Sequence, residues 1–367
     1  MMNVNDYLVW RGDIPFSNDY PFNDVDALIL ARFSYLPFDK IKLGDETISS
    51  ISSKMEKLDV SDFKIDDDKL LIHNLGKSSR FKNLKVSDFV FNKVKSLEKQ
   101  FGAVTIHLPS FIYISYIGTD NSLVGWKEDC NMSFKKNVPA QMEGVKYLSE
   151  IAFKYKGLIV LGGHSKGGNV AVYSALKGGF NNRIIRAFNF DGPGFEKVIF
   201  DECLDKSIIS KIITYIPQDS VIGRLLEHEE EYKVVSSNNK GLYQHDIYSW
   251  NVLKDNLVML PEVTDSSEFV NQSIRQWLKN TDDKQRKVFV DCIFELLYSS
   301  DIDTFRELSK VWVSKIPKFL STYNSISKED KETVSKMLKE FGSAVGYVFR
   351  KSSKSKFEEL ENKLFNN

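Results

Sequence analysis

Cysteine is scarce in this chain: Cys130, Cys203 and Cys292 stand far apart among 367 residues, with no CxxC pair and no Cys/His cluster. That spacing excludes a zinc site of closely spaced ligands and a dithiol redox centre, so the three read as reduced thiols. Net charge is lacking too, because 50 Lys and Arg balance 50 Asp and Glu. No long-range field therefore draws the protein to nucleic acid or to an anionic membrane surface. No apolar run is long enough to span a membrane, and the N-terminal MMNVNDYLVWRGD has neither the basic start nor the apolar stretch of a secretory signal. The expectation is a soluble, cytoplasmic enzyme or binding protein with no transmembrane segment and no nucleic-acid partner.

What is present is an ordinary globular balance, 42% hydrophobic, enough for one large domain and an appendage. Asn23 is placed to cap a helix carrying Val25, Leu28, Ile29 and Phe33, and residues 45–100 read as helical and polar. AVTIHL (103–108) and FIYISYIGT (111–119), parted by Pro109 and Ser110, read as a hairpin. A helix over 141–154, a strand over 158–161, a helix over 168–177, a strand over 184–190, a short helix over 195–204 and strands over 208–216 and 232–235 follow. That alternation predicts an α/β fold, a mostly parallel sheet with helices on both faces. From Ser266 the pattern is helical, with stripes through Phe289, Cys292, Ile293, Leu296 and Leu297 and through Val334, Met337, Leu338, Phe341, Val345 and Val348. Pro317 is expected to kink or end the helix between them. The reading divides the chain into an α/β domain over 1–265, with an N-terminal helical segment, and a helical region over 266–367 packed on it.

The stretch LIVLGGHSKGGNVAVYSA (158–175) runs from an apolar strand through Gly163-His164-Ser165-Lys166-Gly167 into a helix. This is G-x-S-x-G in a strand–turn–helix context, the signature of a nucleophile elbow. The turn strains its central residue, so the neighbours must be small, and Gly163, Gly167 and Gly168 supply the room. It lifts the Ser165 hydroxyl clear of the sheet and aims the first amides of the helix at a developing oxyanion. The bland alternative is a glycine-rich turn that only packs or holds a phosphate. Neither the dinucleotide fingerprint nor the P-loop pattern is matched.

A serine needs a base to take its proton and an acid to orient that base, in the order Ser, Asp or Glu, His on this kind of sheet. His73 and His107 precede the serine, and His164, inside the elbow, is badly placed to reach its neighbour's hydroxyl. Of the two that remain, His228 lies in the charged run LLEHEEEY, which reads as solvated, and His245 lies in the loop GLYQHDIYSW beyond the last strand, so His245 is favoured. For the acid, Asp219 and Asp191 both follow strands, and each also reads as a turn-forming Asp beside Gly or Pro. Position along the sheet favours Asp219, with Asp191 in reserve. The oxyanion donors expected are the amides of Lys166 and of Thr119 in the Gly118-Thr119-Asp120 turn, although a turn with Thr bonding its own backbone is nearly as good a reading.

Gly118-Thr119, Gly163-His164-Ser165-Lys166-Gly167-Gly168, a strand-end Asp and a late His together resemble the class 3 lipase branch of the α/β-hydrolases. More narrowly, SYIGTDNSLVGWKED, GGHSKGGNVAVYSA, FNFDGPGF, IPQDSVIG and HDIYSW are similar to the Mbeg-like group, a bacterial family of lipase-like hydrolases. The chain departs from the class 3 pattern at Lys166, where Leu is usual, at Asn169, where a small residue is usual, and at Ile117, where Arg is usual. Lys166 is expected either to face an anionic acyl or phosphoester group or to point to solvent. The resemblance implies a serine esterase or lipase acting on a small-molecule or lipid ester, without metal or organic cofactor. The alternative is a non-catalytic hydrolase-like fold that binds a lipid or a protein.

Overall fold

A computed structural model of the chain describes residues 1–120, 122–299 and 303–365. The chain divides into two compact units, residues 1–120 with 137–263, and residues 121–136 with 264–367. The first departs from the sequence reading in one respect: the segment 121–136, assigned above to the α/β domain, groups with the C-terminal helices.

In the larger unit the chain opens with α1 (Val4–Arg11) and α2 (Asp24–Phe33). Then come β1 (Glu46–Thr47), α3 (Ile48–Met55), α4 (Asp67–Lys77), β2 (Lys85–Val94), β3 (Lys99–His107) and β4 (Phe111–Tyr116). After α5 (Leu123–Asn131) of the smaller unit come α6 (Pro139–Lys154), β5 (Leu158–His164), α7 (Lys166–Lys177), β6 (Ile184–Phe190), α8 (Lys197–Asp201), β7 (Ile212–Pro217) and β8 (Tyr232–Val235). Three two-residue strands, β9 (Val252–Leu253), β10 (Asn256–Leu257) and β11 (Met259–Leu260), close it. Among the described residues one nine-stranded sheet forms in the order β1-β2-β3-β4-β5-β6-β7-β8-β11. From β4 to β8 it is parallel, and the pairs outside that range are antiparallel. Parallel neighbours need crossovers; α6, α7 and α8 lie in the first three, and the connection from β7 to β8 carries only the 3₁₀ turn Ile222–Arg224.

The period of two along the strands decides which face each side chain joins. Ile159 and Leu161 of β5 pack with Ala171, Val172 and Ala175 of α7, whereas Val160 between them packs on the opposite face with Ala27, Leu28 and Ala31 of α2. Both faces are covered, which is why β5 is apolar over 159–161 before its two glycines and His164. Asn23 caps α2 as expected, accepting from the Asp26 amide at 2.9 Å while Asp26 accepts from the Asn23 amide at 3.0 Å. Arg32 of α2 pairs with Asp68 of α4 (Nε–Oδ1 2.6 Å), and the Tyr248 hydroxyl donates to the same oxygen at 2.8 Å. The N-terminal helices are thereby tied to the turn just after His245.

Two local expectations are corrected in this unit. Residues 85–94, read as part of a helical polar segment, form the strand β2, with a bulge between Ser87 and Val90 and a left-handed Asp88 (φ 55°). Its neighbour β1 is only two residues long, so most of β2 is an outer edge, where Val90 and Phe91 are exposed beside Asn92 and Lys93 and the bulge interrupts the alternation. Residues 208–211, read as the start of a strand, belong to a short 3₁₀ helix over Lys206–Lys211 before β7.

The smaller unit holds α5, α9 (Asp265–Lys279), α10 (Asp283–Ser299), α11 (Phe305–Ser325) and α12 (Lys328–Phe365). Leu123 and Phe134 cluster with Val290 and Phe294, which is why 121–136 belongs here. Pro317 lies inside α11 and does not end it. Among the described α12 side chains, Met337, Ala344 and Val348, seven and four residues apart, are buried, while Leu338 and Phe341 of the expected stripe stay exposed. Among the described residues no helix is long and apolar enough to cross a membrane.

Candidate active site

β5 ends at His164, α7 begins at Lys166, and Ser165 joins them with φ 59° and ψ −133°. A side chain in that left-handed region costs about 1–3 kcal/mol, so the surroundings must hold it there. The Ser165 amide donates to the Phe190 carbonyl at 2.8 Å, and the Ser165 carbonyl accepts from the Gly168 amide at 2.9 Å. The strand and helix approach so closely that a methyl added at Gly163 would stand 2.3 Å from the Gly167 carbonyl carbon. One added at Gly167 would stand 2.2 Å from the Tyr116 carbonyl oxygen. Both contacts are impossible for a side chain, which explains the glycines around the serine.

The imidazole facing this end of the sheet belongs to His245, last residue of a 3₁₀ turn over Gly241–His245. Its Nδ1 lies 2.6 Å from Asp191 Oδ2. Asp191 follows β6 directly and is 1% exposed, whereas the His245 side chain is 28% exposed. The other Asp191 oxygen accepts from the Ser220 hydroxyl at 2.5 Å and the Gly223 amide at 3.1 Å. Asp191 has φ 53°, and its amide donates to the Tyr215 carbonyl at 2.8 Å, which turns the carboxylate across the top of the sheet. Asn189 staples the turn, its side chain bonding the Gly192 amide and carbonyl at 2.9 and 3.1 Å.

The order of preference between the two aspartates is therefore corrected: the carboxylate on His245 is that of Asp191, not Asp219. Asp219 Oδ2 accepts from the Gly241 amide at 3.0 Å and from Gln244 Nε2 at 3.2 Å, and its amide donates to Gln244 Oε1 at 2.8 Å. It holds the turn on which His245 sits, while Asp191 holds the ring. His228, read as solvated, is also corrected. Its side chain is mostly buried, with Nδ1 2.9 Å from Glu230 Oε1, a carboxylate that Thr214 also bonds.

Thr119, just past β4, is buried, and its carbonyl accepts from Lys64 Nζ at 2.6 Å. A methyl at the adjoining Gly118 would be 2.5 Å from the His164 carbonyl oxygen, so the turn lies against the elbow. Lys166 meets neither expectation set for it: its side chain is 1% exposed and bonds Gln100. Asn169 is fully buried, accepting from Gln141 Nε2 at 2.8 Å and donating to the Pro193 and Gly194 carbonyls at 3.0 Å. It ties α7 to the loop that carries Asp191.

Sequence reasoning missed the part played by His164. Its Nε2 lies 2.7 Å from the His245 carbonyl, and because a carbonyl only accepts, that nitrogen carries the proton. The two rings lie 4.4 Å apart. Burial, with His245 alongside, holds the His164 pKa well below the usual imidazole range, so the ring is a neutral prop beneath His245. The signal available was its place beside the serine, which offers no hint of a partner eighty residues on. A separate cavity of 720 Å³, lined by Phe16, Phe22, Phe111, Arg186 and Phe188, lies toward the opposite end of the strands.

Several solved structures are similar to part of this chain. A mutant form of MDLA from Penicillium cyclopium is 10% identical over 66% of this chain and 87% of its own, with a TM-score of 0.39. Rhizomucor miehei lipase in a propeptide complex is 15% identical over 55% and 66%, with a TM-score of 0.37. The Lip2 lipase of Yarrowia lipolytica is 16% identical over 45% and 68%, with a TM-score of 0.30. No curated protein matches the sequence. The family model described as Mbeg1-like matches residues 75–295, more than half of the chain and a span that takes in Thr119, Ser165, Asp191 and His245, and the chain belongs to that family.

Proposed function

We propose that the protein is a serine hydrolase that cleaves a carboxylic ester of a lipid or other acyl substrate through an acyl-enzyme. In this reading Ser165 Oγ attacks the acyl carbonyl while His245 Nε2 takes its proton. Asp191 accepts from Nδ1–H and so keeps the Nε2 lone pair available, and it steadies the imidazolium once formed. The amides of Lys166 and Thr119 receive the negative charge that develops on the carbonyl oxygen. Collapse expels the alcohol with the proton from His245, and water then releases the acid by the same steps reversed.

The observation that carries this reading is the 2.6 Å contact between His245 Nδ1 and Asp191 Oδ2, at the sheet end where Ser165 holds its strained backbone. A packing turn has no use for a buried carboxylate oriented on a half-exposed imidazole. Lys166, the cation beside the serine, is turned into the protein and is not presented to a ligand.

A fluorophosphonate probe is expected to label the wild type and not Ser165→Ala. Hydrolysis of short and medium p-nitrophenyl esters is expected to fall by on the order of a thousandfold or more in that variant, with folding kept. An unlabelled wild type, or equal rates in the two, overturns the proposal in favour of a non-catalytic fold that binds a lipid or a protein.

A further inference from the structure

The lysine after the nucleophile is buried, and its ammonium turns inward to β3: Lys166 Nζ donates to the Gln100 carbonyl at 3.0 Å and to Gln100 Oε1 at 2.7 Å. Gln100 is fully buried at the start of β3, the strand beyond β4 as seen from the elbow. The Lys166 side chain thus reaches past the end of β4, where the Gly118-Thr119-Asp120 turn begins. Gln100 grips that turn on both sides of Thr119. Its Nε2 donates to the Gly118 carbonyl at 3.3 Å, and its Oε1 accepts from the Asp120 amide at 3.4 Å. The backbone of Lys166 offers one of the two amides assigned to the oxyanion, and its side chain, through Gln100, reaches the segment that offers the other.

We propose that Lys166 and Gln100 form a clip that fixes the spacing and direction of the Lys166 and Thr119 amides, making both side chains positioning residues for the oxyanion hole. This rests on the serine-hydrolase reading above. The physical case is preorganisation: donors aimed at the developing charge act without reorganisation only if their backbones cannot drift. The turn after β4 is outside the ladder of strand bonds, so side-chain bonds must hold it. The end of β4 also meets α7 at the Gly167–Tyr116 contact, which sets distance but not the rotation of the peptide planes. A lysine serving only as filler would need no polar partners, because Met fills the same volume more cheaply in a core.

The test compares Lys166→Met, the pair Lys166→Met with Gln100→Leu, and Gln100→Glu, which keeps an acceptor for Lys166 and removes the donor to Gly118. Each is followed by Tm, by kcat and KM on a p-nitrophenyl ester, and by the rate of fluorophosphonate labelling. Lys166→Met is expected to lower Tm, because it strands buried polar atoms of Gln100, and to lower kcat by roughly ten- to a hundredfold with KM within about twofold, a displaced donor costing less than a deleted one. The double variant, which removes the stranded Gln100 amide but not the backbone groups, is expected to recover part of the Tm loss while kcat and the labelling rate stay low. Gln100→Glu is expected to keep Tm and lose several-fold in kcat. A double variant with wild-type Tm and wild-type kcat shows a structural role alone and overturns the clip. If the double variant does not fold, an unchanged kcat in Gln100→Glu overturns it equally. A wild type that neither labels nor turns over overturns both this proposal and the hydrolase reading, whereas an active wild type with unaffected variants overturns the clip alone.

Discussion

Asp191 and Asp219 follow neighbouring parallel strands, β6 and β7, and both serve the turn that ends in His245, yet they grip opposite ends of it. Asp191 comes immediately after its strand in a left-handed backbone conformation, and its carboxylate meets the imidazole. Asp219 comes two residues after its strand and accepts from the amide of Gly241, where the turn begins. Strand-end position gathers carboxylates above a parallel sheet. The backbone angle at each one decides which of them reaches the ring. The difference also divides labour between a group that bonds the imidazole and one that shapes the turn carrying it.

The sharpest way to break that comparison is Asp191→Asn. An amide in place of the carboxylate donates to Nδ1 and moves the ring proton to Nε2, where it blocks proton abstraction from Ser165. Ester hydrolysis is expected to fall on the order of 10⁴-fold, with KM little changed. Asp219→Ala removes two accepted bonds from the turn and leaves the ring pair intact. At about 0.5–1.5 kcal/mol net per bond, part of which goes into stability, the loss of rate is expected to be roughly tenfold at most. Rates measured on one ester under saturating conditions settle the matter. A larger loss from Asp219→Ala than from Asp191→Asn would reverse the two roles and restore the preference drawn from sequence.

That preference failed for a local reason. Asp-Gly-Pro-Gly after β6 announces a turn, but a non-glycine residue at φ 53° is not written in residue types, and only Asp and Asn among polar residues adopt it with any ease. The elbow was legible because it demands glycines on both sides of the serine, and glycine is a residue type. His245 was legible because its loop position follows from strand order. Lys166 was not, because lysine ordinarily faces water and its acceptors lie on a strand 66 residues earlier. The parallel strands and their crossovers could be read from apolar runs buried on both faces. β2 was missed although Val86, Phe89, Val90, Phe91 and Val94 carry strand-forming side chains, because its bulge breaks the alternation and charged segments flank it. Residues 121–136 were misassigned because chain continuity, not packing, was the available guide. Their clustering with Val290 and Phe294 is a contact across more than 150 positions.

The smallest expected effect separates the two imidazoles rather than the two carboxylates. His245 is partly open to solvent, while His164 beneath it is buried with its pKa held down by desolvation first and by the neighbouring ring second. In the unfolded chain a histidine takes up a proton below about pH 6.5. The folded state refuses that proton at His164, so the unfolded state binds more protons and stability falls as pH drops from there toward the depressed native value. The contribution of a single group is at most about 1.4 kcal/mol per pH unit. His164→Gln, whose amide can still donate to the His245 carbonyl, lacks this titration. Urea unfolding at pH 7, 6 and 5 is therefore expected to show a shallower acid loss in the variant than in the wild type. Other buried groups, such as Glu230 with its lowered pKa, titrate equally in both proteins and cancel from the difference. Parallel curves would mean that His164 takes up its proton in the folded state as readily as in the unfolded one. That result would remove the neutral prop from beneath the base and leave the placement of His245 to Asp191 and Asp219 alone.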